Sequence, residues 1–362
     1  TGIYHFPLFC YLVDCGFNAS IINPIITHST KNGNIRKVKN DKIDSKGIAK
    51  LGLSKDIPVS QFPAKLVLEL RSLTRKYYDL TDERSAHINK LKGDLHTVFP
   101  QYLDVFCDVT GKTSTMILRQ YGTPDKILRG HKKTMIEKIS KASRKGLAKA
   151  SERYEKLCAA ANAAKTFGCQ IDSIYFNIFL TLDLVEKLDS ALDSILNRIR
   201  QLITFNKNEK FIQQIKLLNT IPGVGFLTAV TIMCEIGDFS AFRNPKQLFA
   251  YFGLDPEVNE SGKFVGTQLH MSKRGSRIAR RAIFAVALAS IRTKRNGEGI
   301  NPYLRKYYEL KSGQKPKMVA IGAVMHKVCN IVFAVLRDEK AFELRSPEEH
   351  CKQYQRPALA AA

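Results

Sequence analysis

Leu217-Leu218-Asn219-Thr220-Ile221-Pro222-Gly223-Val224-Gly225-Phe226-Leu227-Thr228-Ala229 sets a helical pattern on either side of a Pro-Gly-Val-Gly turn. Gly223 and Gly225 allow tight backbone geometry, and free amides at the start of the second helix can take a phosphate oxygen. This is the helix-hairpin-helix pattern of sequence-independent contact with a DNA backbone. A corner between two helices that merely packs satisfies the same spacing, so the rest of the chain has to weight the choice.

Charge supplies that weight. The 362 residues carry 57 Lys and Arg against 33 Asp and Glu, a formal net charge of +24. Hydrophobic residues make up 44 % and charged residues 25 %, a globular rather than a disordered balance. An excess spread along the whole length fits a polyanionic partner, with nucleic acid the default, better than one basic pocket for a small acidic substrate. No run of about 18 apolar residues stands out, which argues against a membrane span. The eight cysteines form no Cys-x-x-Cys pair and no His pair has zinc-ligand spacing, so they read as reduced thiols of a cytoplasmic protein.

Downstream of the turn comes Tyr251-Phe252-Gly253-Leu254-Asp255-Pro256, then Val258-Asn259-Glu260-Ser261-Gly262-Lys263-Phe264-Val265. Apolar residues flanking Asn-Glu-Ser-Gly predict a hairpin tip that exposes the Ser261 hydroxyl. Twelve Lys or Arg fall between Lys263 and Lys311, opposed only by Glu298 and Glu309. Met271-Ser272-Lys273-Arg274-Gly275 leads into a helix on which Ile278, Ala282, Ala285 and Ala289 pack while Arg277, Arg280 and Arg281 face outward. A serine beside guanidinium groups suits attack on a phosphodiester, because cations stabilise charge growing on the phosphoryl oxygens. Taken alone, a Ser-Gly turn is far more often a structural feature.

Upstream, Tyr4, Leu8 and Leu12 open a helix stopped by Gly16, and Ala19-Ser20-Ile21-Ile22 reads as a short buried strand ended by Asn23-Pro24. A polar loop from Thr27 to Lys39 follows. On the next helix Ile43, Gly47, Ile48 and Leu51 share a face, and Asp41 and Asp44 project from one turn. Two such carboxylates suit a shared divalent ion, or simply a helix start with acids near its positive end. Long helical patterns fill residues 62–205, including a basic stretch with ten Lys or Arg from Lys126 to Arg153. Leu184, Leu188, Ala191, Ile195, Ile199 and Leu202 give a near-heptad stripe, read as a coiled coil or as a helix within its own bundle.

The order and spacing of these pieces resemble the insertion-sequence 110 family of DEDD transposases. Thr1-Gly2-Ile3-Tyr4-His5, Ile22-Asn23-Pro24 and Asn40-Asp41-Lys42-Ile43-Asp44-Ser45 carry the likeness first. Ile221-Pro222-Gly223-Val224-Gly225, Ala250-Tyr251-Phe252-Gly253-Leu254, Glu260-Ser261-Gly262, Met271-Ser272-Lys273-Arg274-Gly275 and Arg280-Arg281-Ala282 complete it. The resemblance implies α/β plus mainly α architecture: the remnant of a ribonuclease H-like domain over 1–60, a long helical or coiled-coil linker over 61–205, a transposase domain with the helix-hairpin-helix over 206–345, and a tail over 346–362.

It also implies a Mg²⁺ site of four acids, the last two matched by Asp41 and Asp44, and a DNA-attacking serine matched by Ser261. Partners implied are the element's ends and target DNA, an element-encoded guide RNA and further copies of the chain in a homo-oligomer; membrane has no part. The location expected is the prokaryotic cytoplasm, at the nucleoid. Lys273, Arg274, Arg277 and Arg281 are DNA-gripping candidates on their chemistry alone, with Gly223 and Gly225 added from the turn. The first acid of the family is expected on a strand upstream of Thr1 and the second immediately before it. The sequence therefore reads as N-terminally truncated, with an incomplete metal site and no activity by itself. A junction nuclease using water, and a non-catalytic nucleic-acid binder, are the alternative readings.

Overall fold

The structure is a computed structural model that describes residues 4–22, 41–54, 64–169, 171–257, 260, 261, 264, 265, 270–346, 348 and 349. The chain divides into two units, Thr1–Leu68 and Glu69–Ala362. In the first, α1 (His5–Asp14) ends as its sequence demands: Gly16 takes φ +80°, and the amides of Cys15, Gly16 and Phe17 return to carbonyls of the last turn. Phe9 is its buried residue, whereas Tyr4 and Leu8 of the expected apolar face are exposed. The strand expected over residues 19–22 is not formed. Among the described residues of this unit no strand lies beside it. The loop from Thr27 to Lys39 lies outside the described residues. Helix α2 (Asp41–Ser54) begins at Asp41 and buries Leu51, while Ile48 is exposed.

The second unit is built on two helices of 34 residues, α3 (Lys65–Val98) and the later α9, with five shorter helices between them. Helices α4 (Tyr102–Val105), α5 (Lys112–Gln120), α6 (Pro124–Arg129), α7 (Lys132–Ser143) and α8 (Leu147–Phe167) form a knob with a core of its own. Its centre is an aromatic ladder, Phe99 to Tyr102 at 5.1 Å and Tyr102 to Phe106 at 4.9 Å. The fully buried Tyr102 hydroxyl is satisfied by Ser114, its carbonyl at 3.0 Å and its hydroxyl at 2.9 Å.

Helix α9 (Asp172–Phe205) runs back antiparallel to α3. Tyr175 Oη reaches the Val98 carbonyl at one level, and the Arg84 guanidinium forks onto the Asp189 carboxylate further along. Leu91, Leu95 and Val98 of α3 and Tyr175, Ile178 and Leu182 of α9 enter the knob's core together. The buried row of α9 contains Ile178, Val185, Leu192 and Ile199, a spacing of seven. Of the row read from the sequence, Ile199 and Leu202 are buried and Leu188, Ala191 and Ile195 half-buried, while Leu184 is 44 % exposed and Val185 takes its place. Both positions satisfy a helical period, and only the partner helix selects between them.

The remaining chain packs around one central helix. Helices α10 (Lys210–Leu218), α11 (Phe226–Ile236), α12 (Pro245–Tyr251), α13 (Arg277–Ile291) and α14 (Pro302–Ser312) surround or brace α15 (Lys317–Asp338). By length and mean hydropathy α15 is apolar enough to cross a bilayer, although His326, Lys327 and Asn330 interrupt its apolar run. Its Ala320, Val324, Val328, Cys329 and Val332 are instead buried among the neighbouring helices, as in a core helix.

At the joint between knob and stalk, the Cys169 amide bonds to the Thr97 carbonyl at 3.1 Å, and a Cβ on Gly168 would stand 2.5 Å from the Val98 carbonyl and 2.6 Å from that of Ala164. Gly168→Ala is expected to destabilise the protein by about 1–3 kcal/mol in denaturant unfolding, since both obstacles are backbone.

Candidate nucleic-acid interface

The turn between α10 and α11 has the geometry its sequence predicts, but its two glycines do different things. Gly223 takes φ +96°, and a Cβ there would meet Ser290 Oγ at 2.5 Å and the Ser290 amide at 2.9 Å. Ser290 Oγ in turn donates to the Pro222 carbonyl at 2.9 Å, so this half of the turn is locked onto the end of α13. Gly225 is exposed at the N-cap of α11, has an ordinary φ of −84° and has open space where a Cβ would go. Nothing within the fold requires glycine there, and it is this half that leaves backbone open to a phosphate. The Arg200 guanidinium lies 6.0 Å from the Phe226 ring that begins α11.

Glu235 is a residue the sequence reading passed over. It sits near the end of apolar α11, 3 % exposed. Its carboxylate receives a fork from Arg75 of α3 at 2.9 and 3.0 Å and a hydrogen bond from Ser276 Oγ at 2.7 Å. Burial pushes its carboxyl up, but hydrogen bonds from Arg75 and Ser276, with the charges of Arg75 and Arg71, outweigh burial and hold it below the ordinary value. Around it, Arg71 Nε donates to the Cys234 carbonyl at 2.7 Å and Tyr251 Oη to the Glu235 carbonyl at 3.1 Å. Ser276 also caps α13 by accepting from the Ala279 amide at 3.1 Å. One carboxylate thus joins α3, α11 and the start of α13, and its own carbonyl receives α12.

Beside this junction the backbone doubles up. Gly253 takes φ +66°, and a Cβ on Gly275 would stand 2.0 Å from the Tyr251 carbonyl, so the two segments touch through glycine. Arg280 fastens them by donating to the carbonyls of Phe252 at 3.2 Å and Gly275 at 2.8 Å. The pairing continues as Lys273 amide to Gly253 carbonyl at 3.1 Å, Ser272 amide to Asp255 carbonyl at 2.8 Å and Glu257 amide to His270 carbonyl at 2.8 Å. The chain leaves this platform after Glu257 and returns at His270. On the excursion, β1 (Glu260–Ser261) pairs with β2 (Phe264–Val265), Ser261 opposite Phe264. Ser261 is therefore the last paired residue before a two-residue connection. Asn259, Gly262 and Lys263 lie outside the described residues.

The four basic candidates separate by partner. Lys273 and Arg274 are exposed at the base of the arm and enter no ion pair among the described residues; Lys273 is held left-handed at φ +53°. Arg281 instead pairs with Asp82 of α3 at 2.7 Å and lies 4.8 Å from the centre of the Tyr78 ring, while Arg277 is 3.5 Å from the same carboxylate. Arg281 is thus engaged with α3, whereas Arg277 is 84 % exposed and meets that carboxylate only at 3.5 Å.

Asp41 and Asp44 occupy the first turn of α2, in the first unit. They are hard oxygen donors of the kind Mg²⁺ takes, but among the described residues no group of three His, Cys, Asp or Glu forms a metal site. The donor type fits a divalent cation; the number does not complete one.

Residues 215–309 match the family described as transposase IS116/IS110/IS902 family, and residues 1–100 match the DEDD transposase family of IS110. A protein of insertion element IS110 from Streptomyces coelicolor is 23 % identical over 286 residues, covering 78 % of this chain and 66 % of that protein. The pilin gene-inverting protein of Moraxella bovis is 30 % identical over 177 residues, 49 % of this chain and 52 % of the relative. A transposase for insertion sequence element IS1111A from Coxiella burnetii is 26 % identical over 188 residues, half of each chain.

Arg75→Ala leaves the buried Glu235 charge unpaired, whereas Glu235→Gln lets Arg75, half exposed, return to water. Arg75→Ala is expected to cost about 2–4 kcal/mol and Glu235→Gln less, in denaturant unfolding. Because the Glu235 carboxyl is held low, its contribution is present above the ordinary Glu value of about 4.3 and is lost as pH falls through the lower folded value. Glu235→Gln should flatten that acid limb of the stability profile.

Gly223→Ala is expected to lose about 2–4 kcal/mol, while Gly225→Ala keeps wild-type stability and weakens duplex binding in a fluorescence titration. A stable Gly223→Ala protein would contradict the packing described.

Proposed function

The chain belongs to the IS110 family of transposases, and on that premise we propose that it cuts and rejoins DNA at an insertion sequence's ends and target, with Ser261 as the attacking group. The observation that carries the reading is the arm: a serine in the last pair of a hairpin that rises from a glycine-interlocked platform bearing Lys273 and Arg274. Relatives named for gene inversion and for transposition support the DNA-rearranging half of the reading.

In this reading the Ser261 oxygen attacks a backbone phosphorus. The bond from phosphorus to the leaving sugar oxygen breaks, that oxygen takes up a proton, and the serine keeps the strand as a phosphodiester. A hydroxyl from a second strand then attacks the same phosphorus and returns the serine, so no outside energy source enters. Lys273 and Arg274 face the charge that grows on the phosphoryl oxygens. Helix-hairpin-helix contact through the Gly225 end of the turn fixes the duplex without reading its bases. Asp41 and Asp44 would supply two carboxylates to a divalent cation such as Mg²⁺, which polarises a phosphate when bound, and no step here is assigned to it. An element-encoded guide RNA and assembly into a homo-oligomer belong to the same proposal.

The test is a denaturing gel of the chain joined to an upstream segment that supplies the family's first two acids, incubated with Mg²⁺ and an end-labelled duplex carrying an element end; the chain by itself is expected to give no adduct. Label retained on the protein, abolished by Ser261→Ala with binding changed less than about twofold, is the expected result. Strand breakage that survives Ser261→Ala points to a junction nuclease with water as nucleophile. Binding with no adduct and no breakage leaves only a nucleic-acid binder.

A further inference from the structure

One local run of positive charge lies where neither family match reaches. Residues 101–214 lie outside both matched segments, and they contain most of the knob. The stalk beneath it carries no net charge: α3 has seven basic and five acidic residues and α9 has three and five. Residues 99–171, between those helices, carry 14 basic residues against six acids. Within 126–153 the ratio is ten to two, and among the described residues none of those ten is in an ion pair.

The charges are also ordered. Helices α7 and α8 pack together as a hairpin whose turn holds Arg144 left-handed at φ +54°. Ser140 Oγ donates to the Lys145 carbonyl at 3.1 Å, and the Lys145 amide to Ser143 Oγ at 3.3 Å, so the turn is internally fastened. Lys141, Arg144, Lys145 and Lys149 are exposed around it. Lys132, Lys138 and Arg153 are steadied on aromatic rings, at 5.8 Å from Tyr154, 5.6 Å from Tyr121 and 5.6 Å from Phe106. Cations gathered without carboxylates repel one another and lower stability, a cost that a polyanion relieves. The knob's fold requires none of these exposed charges, since its core is apolar and aromatic.

We propose that the α7–α8 hairpin is a second nucleic-acid site, taking the phosphate backbone of duplex DNA at a distance from the Ser261 arm. About 35 Å of helix separates Arg75, at the arm's junction, from Val98, at the knob, taking 1.5 Å per residue. The inference does not use the chemistry of Ser261 and stands if that reading fails.

The experiment is a binding titration of the full chain carrying Ser261→Ala, against a duplex of about 30 base pairs, from 50 to 300 mM salt. Four variant charges, K141E/R144E/K145E/K149E, are compared with K306E/K315E/K317E/K340E, which makes the same change in net charge at exposed positions elsewhere. The hairpin variant should bind at least about 100-fold more weakly at 50 mM and lower the slope of log affinity against log salt by about three to four. The comparison variant should lose less than about tenfold. Equal losses in the two variants, or unchanged affinity and slope in the hairpin variant, overturn the proposal. So does a loss confined to duplex RNA, run alongside at the same length. Because all eight positions are exposed, each variant should melt within about 3 °C of its parent. If the hairpin variant does not, the corresponding four glutamines replace it and the same salt slopes decide.

Discussion

A carboxylate buried in an apolar helix cannot stay charged without partners, and Glu235 obtains them from two sides, Arg75 and Ser276. Satisfying it brings Arg75, and with it α3, against α11, and brings Ser276 to the one place from which it can also cap α13. Arg71 and Tyr251 then occupy the carbonyls of Cys234 and Glu235, so the end of α11 has its backbone acceptors met from outside the helix. Hydrophobic burial alone would have tolerated sliding between these helices. A bidentate ion pair and a cap that share one carboxylate do not, because each has a narrow geometry.

What this junction fixes is the base of the Ser261 arm. Ser276 immediately follows the Gly275 that touches the Tyr251 carbonyl, and Tyr251 is itself bonded to Glu235. The platform is thus held from both of its strands by the same residue. Guanidinium groups nearby divide accordingly: Arg280 is used up on carbonyls of the platform and Arg281 on Asp82 and Tyr78. Lys273 and Arg274 are left facing outward because the loop that carries them is pinned at Gly253 and Gly275, where no side chain fits. A loop held so tightly presents its two charges with little ordering still to be done.

The helical hairpin was legible in the sequence because Pro-Gly-Val-Gly is local information: the turn, its φ > 0 position and the two flanking helices all follow from neighbours in the chain. Gly16 as a helix stop is legible for the same reason. What was not legible depended on residues far apart. Arg277 and Arg281 look alike to Lys273 until Asp82, some two hundred positions away, is brought beside them. At the start of the α9 stripe Val185 and not Leu184 is buried, because period alone does not say which side meets α3. Glu235 gave no signal at all, since an acid at the end of an apolar helix reads as a solvated terminus until Arg75 arrives. The register of Ser261 against Phe264 likewise follows from strand pairing and not from the turn residues that suggested a tip.

Distance gives the two basic surfaces of the second unit separate roles. At physiological salt a charge is screened beyond about 8 Å, so cations on the knob and on the arm's platform cannot act as one field across a stalk of about 35 Å. They act together only if one duplex reaches both, and that span is close to one turn of B-form DNA. A stalk without net charge then has a physical purpose. A basic stalk would bind phosphates along its whole length and leave the position of the duplex undefined. A neutral one confines contact to its ends, and the antiparallel pairing of α3 with α9 keeps those ends apart. Once one end is bound, the other meets the same duplex at a raised effective concentration, which two separate domains on a loose linker would not provide.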